Sequence, residues 1–213
     1  MYRPVCFKED RQDVLCVLMR RAPLATIVTH GDEGLSANLV PLLLREGESG
    51  LILAGHVARS NTMLAQAIHG EVLVLFAGPE GYVSPSAYPS KKEAGEVVPT
   101  WNYVAVHAHG RLRWIEDDAW LERLLEDLTG EHERSRAEPW QVSDAPATFT
   151  RSLRRAIVGL EIEVTRLEGK LKLGQNRTRA DREGVIADLR ERGDDHALAL
   201  AAAMQATLDG RAQ

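Results

Sequence analysis

The chain has 213 residues, 44% of them hydrophobic, which is enough apolar material for one sizeable core and excludes a collagen-like or disordered composition. Its 31 acidic against 26 basic side chains leave a net charge of −5 with histidine neutral, which argues against a protein that lives on bulk attraction to nucleic acid. Two cysteines, Cys6 and Cys16, do not make a disulfide framework; charges at Arg3, Lys8, Glu9 and Asp10 interrupt any secretory leader, and no apolar run approaches the ~20 residues of a membrane span. The expectation is a cytoplasmic protein with reduced thiols and no membrane partner.

In chain order, Tyr2 to Phe7 reads as extended, held by Pro4. Lys8 to Arg21 reads as an amphipathic helix with Val14, Leu15, Leu18 and Met19 on its apolar side, stopped by Ala22-Pro23. Leu24 to Thr29 is a short strand, His30 to Gly34 a turn, and Leu35 to Leu44 a second strand. Glu46-Gly47-Glu48-Ser49-Gly50 is a hairpin-like connection to a third, Leu51 to Gly55. Loops this short predict an antiparallel meander.

From Gly55 to Gly70 the period changes. Met63, Leu64, Ala67 and Ile68 form a helical stripe, with Ser60 or Asn61 as N-cap, so Arg59 stands just before a helix N-terminus. Free N–H groups, the positive end of the helix dipole and a guanidinium converge there, which suits a phosphate. The bland alternative is an exposed arginine beside an ordinary cap. Glu71 to Phe76 is a fourth strand, and Gly78-Pro79-Glu80-Gly81 reads as a turn into the stretch Tyr82 to Trp114.

That stretch organises the rest. A rigid loop rich in Pro, Ser and Tyr comes first, then a charged turn from Lys91 to Glu96, and two strands are expected within it. From Val97 a long strand places Trp101, Tyr103, Ala105, His107 and His109 on one face. Asn102, Val104, Val106 and Ala108 fall on the other, a pattern of burial on both sides. Asp117 to Leu128 is a helix, Glu131 to Pro146 a polar excursion, and Thr148 to Arg155 a basic helical turn. Val158, Leu160, Ile162 and Val164 alternate along a half-buried strand. Lys170, Lys172 and Arg177 cluster at its end around Gln175-Asn176. Helices at Arg182 to Arg192 and Asp195 to Leu208 close the chain, broken at Gly193-Asp194.

The chemistry narrows by comparison. His107 and His109 share a strand face, and His56 or His30 could join them on a zinc or iron ion. No carboxylate or cysteine completes a set at recognisable spacing, so no metal is assigned. No nucleophile elbow, phosphate-binding glycine loop, dinucleotide fingerprint or helix-turn-helix is legible. A planar cofactor carrying a phosphate fits better. Arg59 and the turn at Asn61 offer the anion site, assisted by Lys172 or Arg177. Asn38, Asn102, Gln175 and Asn176 offer hydrogen bonds to a ring edge, and Trp101, Tyr103 and Pro41 offer walls. Only a barrel, or two chains meeting, would gather residues so distant in sequence.

Four motifs then carry a resemblance: G-H-V-A-R-S-N from Gly55, V-S-P-S-A-Y from Val83, V-P-T-W-N-Y-V-A-V-H-A-H-G from Val98, and G-K-L-K-L-G-Q-N-R from Gly169. In this order and spacing the chain resembles the PaiB family of FMN-binding regulators over nearly its whole length. The resemblance implies a mainly β protein with flanking helices (α+β), an antiparallel split β-barrel of the pyridoxamine-phosphate-oxidase-like type. The barrel would span 1–178, and a helical extension over 179–213 would pack on it or on a partner subunit. It also implies a homodimer with FMN at the interface. Arg59, Ser60 and Asn61 would hold the phosphate, and the strand Asn38 to Leu42, Asn38 and Val40 included, would lie along the isoalloxazine. Thr100, Trp101, Asn102 and Tyr103 would wall the site, and Lys172, Gln175 and Asn176 would reach it, from the same chain or from the partner. Two departures from the family pattern are Gly174 in place of serine and Ala87 in place of a bulkier aromatic. The family's role implies negative regulation of transcription. The acidic chain has no DNA-reading motif, so that role would be indirect, and Arg151, Arg154 and Arg155 form the one basic group to test. The alternative is a small flavin-dependent reductase or oxidase using a nicotinamide donor or a small substrate, with His107, His109 and Tyr103 as the candidate proton donors.

Overall fold

A computed structural model describes residues 1–47, 50–93 and 95–210. Glu48 and Ser49 of the hairpin connection, and Ala94 of the Lys91 to Glu96 turn, lie outside the described residues. The elements in order are β1 (Lys8–Glu9), α1 (Gln12–Arg21), β2 (Leu24–Gly31), β3 (Gly34–Pro41), β4 (Leu43–Gly47), β5 (Gly50–Ala58), β6 (Val72–Val83), β7 (Thr100–Ile115), α2 (Asp118–Glu133), α3 (Ala147–Arg154), β8 (Ile157–Lys172), α4 (Arg179–Arg192) and α5 (Asp195–Leu208). The strands form an antiparallel sheet in the order β3-β2-β6-β7-β8-β5-β4, with β1 paired to β8, and the sheet does not close. Among the described residues no helix is long and apolar enough to cross a membrane.

The chain gathers into two compact units. One comprises Met1–Ala22, Phe76–His107 and Leu167–Gln213; the other comprises Pro23–Leu75 and Ala108–Arg166. In the second, β2 pairs with β3 from Leu24↔Pro41 to Gly31↔Gly34 and with β6 at Val28↔Leu73. β5 pairs with β8 from Ile52↔Glu163 to Ala58↔Ile157. Ala54, Leu124 and Leu128 form a buried cluster there, flanked by Leu43 and Trp120. Gly159 is what lets α2 settle on β8, because a Cβ at that position would lie 2.3 Å from the Trp120 ring. In the first unit, α4 and α5 pack against each other through Val185, Ile186, Leu189, Leu200 and Met204, all buried.

Several elements differ from the sequence reading for identifiable reasons. The N-terminal segment is not extended throughout, since Val5–Phe7 makes a turn of 3-10 helix. The first helix begins at Gln12 because Lys8 and Glu9 pair with Lys170 and Gly169, an approach that Gly169 permits. The single strand expected over Leu35 to Leu44 is two, interrupted at Leu42, whose N–H donates to the Pro23 carbonyl at 2.8 Å. Gly78-Pro79-Glu80-Gly81 is no turn. It lies inside β6, and Gly78 is needed for close approach, since a Cβ there would meet the Val104 side chain at 2.8 Å. Tyr82 to Trp114 supplies one new strand, β7, rather than two, its first part forming 3-10 turns at Pro85–Ala87 and Pro89–Lys92. On β7 the face bearing Asn102, Val104, Val106 and Ala108 is buried, and the opposite face is half-buried from Tyr103 to His109 and exposed at Trp101, Arg111 and Arg113. β8 is buried on both sides from Val158 to Ile162. Glu161 is tolerated there because the Trp120 indole donates to it at 2.9 Å and Arg113 pairs with it.

Candidate functional site

The residues singled out for a flavin fall into two groups, one in each unit. In the unit of β3 and β5, the chain leaves the sheet at Ala58 and turns. The Asn61 N–H donates to the Ala58 carbonyl at 2.8 Å, and the Asn61 side chain accepts from the Met63 N–H at 2.9 Å. The element so capped is a four-residue 3-10 turn, Thr62–Ala65, and not a full helix, so the dipole part of the phosphate argument weakens. What remains is the guanidinium. Arg59 Nε donates to the Arg155 carbonyl at 3.2 Å and Nη2 to the Ile157 carbonyl at 3.3 Å, which fixes the group on the start of β8. Nη1 faces Glu116 Oε2 at 3.3 Å. Three of five N–H donors are used, and two are left for an anion. Ser60 is exposed beside it.

Asn38 joins this group, its Oδ1 accepting from Asn61 Nδ2 at 3.3 Å. Gly55 makes that possible, because a Cβ there would lie 2.8 Å from Leu42 and 3.0 Å from the Pro41 carbonyl; the end of β3 closes down on β5. Val40 is buried on the same side of β3 as Asn38. His56, from the same motif, is half-buried with no partner for Nδ1 among the described residues, and burial lowers its proton affinity below the ordinary histidine value.

In the other unit, Lys172 Nζ donates to Thr100 Oγ1 and to the Trp101 carbonyl, both at 2.5 Å, tying the end of β8 to the start of β7. Burial lowers the Lys172 proton affinity; Tyr103 opposes this and the Lys170 ammonium adds to it. Lys170 is itself buried between two rings, 5.4 Å from the centre of Tyr2 and 5.2 Å from that of Tyr103. Trp101 is half-exposed, its indole N–H on Glu80 and its ring edge-on to Tyr82 at 6.2 Å. Asn102 is buried, its amide donating to the Met204 sulfur at 3.5 Å. Gln175 turns back on its own strand end, accepting from the Leu173 N–H at 2.8 Å and donating to the Leu171 carbonyl at 2.6 Å. Asn176 is exposed.

His107 and His109 lie on the half-buried face of β7. Among the described residues no group of three or more His, Cys, Asp or Glu side chains could hold a metal. Two residues that pattern reading missed are Glu116 and Tyr82, whose partners Arg59 and Trp101 are distant in sequence. In the unit of β3 and β5, an anchored guanidinium, an exposed hydroxyl and paired amides make a donor set that fits a phosphate monoester. The other unit, taken by itself, sets an ammonium beside exposed aromatics.

Residues 1–166 match the model of a family described as "Putative FMN-binding domain". The protease synthase and sporulation protein PAI 2 of Bacillus subtilis is 31% identical, over 96% of this chain and 97% of that one. A protein from Emericella nidulans, AN0679, is 34% identical over 92% of each. Among solved structures, the flavocytochrome Anf3 of Azotobacter vinelandii superposes with a TM-score of 0.59 at 14% identity, covering 82% of this chain and 73% of that one. The FAD and heme binding protein of Mycobacterium smegmatis gives the same score at 19% identity, covering 84% and 79%. These two share the fold. Motifs, sheet and relatives agree, and the chain belongs to the PaiB-type family of FMN-binding domains.

Proposed function

We propose that this protein binds FMN as a cytoplasmic homodimer, with the flavin phosphate at Arg59 and Ser60, and that the flavin-bound dimer acts as a negative regulator of transcription. The observation that carries the reading is the Arg59 guanidinium, held on two backbone carbonyls and still offering two N–H groups beside an exposed hydroxyl. FMN, once bound, supplies a redox-active ring; the chain's own residues hold its phosphate, and Asn38 and Asn61 offer amides to its polar edge.

The dimer is supported by one sheet face. Leu24, Thr26 and Val28 of β2, Leu35, Ala37, Leu39 and Pro41 of β3, and Leu73 and Leu75 of β6 share a side that the core does not cover. Leu35 and Leu39 are 78% and 68% exposed, an apolar surface that a second copy would bury. Direct reading of DNA has little support, because Arg154 of the basic group is buried on Asp118 and Glu122.

The test is the visible spectrum of the purified protein titrated with FMN, beside an Arg59→Ala variant. Bound-flavin bands are expected, with affinity about 10- to 100-fold lower in the variant, the scale of charge-assisted hydrogen bonds. A colourless protein that takes up no flavin ends the reading. A redox-enzyme reading draws on the exposed Trp101–Tyr82 pair beside Lys172, which offers a surface for a nicotinamide ring. Rapid bleaching of the bound flavin by NAD(P)H would favour it.

A further inference from the structure

Arg59 is engaged from two directions of unequal character. Two of its contacts are backbone carbonyls, Arg155 O at 3.2 Å and Ile157 O at 3.3 Å, which cannot leave without undoing the start of β8. The third is the carboxylate of Glu116 at 3.3 Å from Nη1, a long contact made by a side chain that is 70% exposed. Glu116 follows β7 and immediately precedes Asp117, the cap of α2, whose carboxylate accepts the Trp120 N–H at 2.6 Å. Its backbone is therefore pinned while its side chain is free to swing into water. A guanidinium fixed by main chain and met by an exposed carboxylate is an anion site carrying its own stand-in.

We propose that Glu116 is a resident counter-anion at Arg59 that an incoming phosphate must displace, so that Glu116 and not Arg59 alone sets the affinity for phosphate-bearing ligands. This rests on the reading of Arg59 as the phosphate site. The reason is electrostatic. A phosphate monoester brings a charge of about −1.5 to −2 at neutral pH. It cannot share one guanidinium with a carboxylate without like-charge repulsion, so its binding energy is reduced by the ion pair it breaks. The two carbonyls keep the guanidinium in place after Glu116 leaves, so displacement needs no rearrangement of the sheet. A ligand without the phosphate gains nothing from the exchange.

The experiment compares wild type with Glu116→Gln, which keeps the side chain's size and removes its charge. FMN and riboflavin are titrated by flavin fluorescence at low salt. Inorganic phosphate is titrated separately by the shift in thermal unfolding temperature. The expected result is FMN affinity about 2- to 5-fold higher in the variant, riboflavin affinity unchanged, and a matching fall in the phosphate concentration that gives half the thermal shift. The FMN gain should shrink as salt is added, because both groups are exposed. Added Arg59→Ala should abolish the phosphate effect in either background. Equal gains for FMN and riboflavin, or an unchanged phosphate midpoint, would overturn the proposal. If neither protein binds flavin yet the phosphate midpoint still falls, the FMN reading fails and the role of Glu116 stands.

Discussion

His56 is the residue at which pH and stability meet. Burial lowers its proton affinity in the folded chain, and Nδ1 has no partner among the described residues to receive a proton's charge. The unfolded chain takes up that proton near the ordinary histidine value of 6.5, the folded chain only below it. The stabilising contribution is therefore complete above pH 6.5 and is lost as pH falls through that value toward the depressed one. Thermal unfolding followed from pH 7.5 to 5 should fall more steeply for wild type than for His56→Gln; parallel curves would assign the acid sensitivity elsewhere. Gly174 makes a second case. Its φ is +80°, and a Cβ there would face Arg182 at 3.6 Å and Met204 at 3.8 Å, which is packing between the end of β8 and the last two helices. Gly174→Ser should therefore change the melting temperature and leave FMN affinity within about twofold, as a paired titration would read. The Asn61 cap and an arginine two residues before it were legible because the cap depends on its near neighbours; the carbonyls that hold Arg59, 96 and 98 residues further on, were not. Glu116 was not legible, since nothing at position 116 signals a guanidinium 57 residues earlier.

α3 inverts the usual logic of a surface helix. Its one buried side chain is Arg154, held by two bonds of 2.9 Å to Asp118 and one of 2.6 Å to Glu122, while Phe149 and Leu153 face outward. The clasp, and not an apolar stripe, ties α3 to α2. Arg154→Ala should lower stability by about 1–3 kcal/mol, the carboxylate partners being half-exposed and free to rehydrate. Amide exchange over 147–156 should speed up more than elsewhere, and uniform change would mean that α3 is held some other way. Periodicity predicts a basic helical turn here but not its orientation, because Arg154 and Arg155 read alike until Asp118 is placed. The same limit explains β6. Gly78-Pro79 carries the signature of a turn, yet the glycine serves close approach to Val104, a requirement set by a strand 26 residues away.

At the scale of the molecule, the antiparallel sheet and its flanking helices were legible because alternation along the strands and the four motifs pointed the same way. Which side of β3 meets the core was not legible. Leu35, Ala37, Leu39 and Pro41 are as apolar as many inward-facing sets, and only the pairing with β2 and β6 shows that they lie outside. Leu39→Asp places a charge in the middle of that face. Light scattering at micromolar protein should give a dimer for wild type and a monomer for the variant, with the monomer's melting temperature little changed. A wild-type monomer would remove the interface from the flavin reading.

The division of the chain has a consequence for its synthesis. The unit built on β2, β3 and β5 has all its sequence once Arg166 is made, whereas the other unit is drawn from three separate stretches, the last beginning at Leu167. Until α4 and α5 emerge from the ribosome, the apolar residues of Phe76–His107 lack the segment that completes their unit, and the nascent chain presents them to chaperones or to neighbouring chains. A premature stop just after Arg166 would thus remove the whole last stretch of that unit, α4 and α5 included, and leave the apolar residues of Phe76–His107 without it.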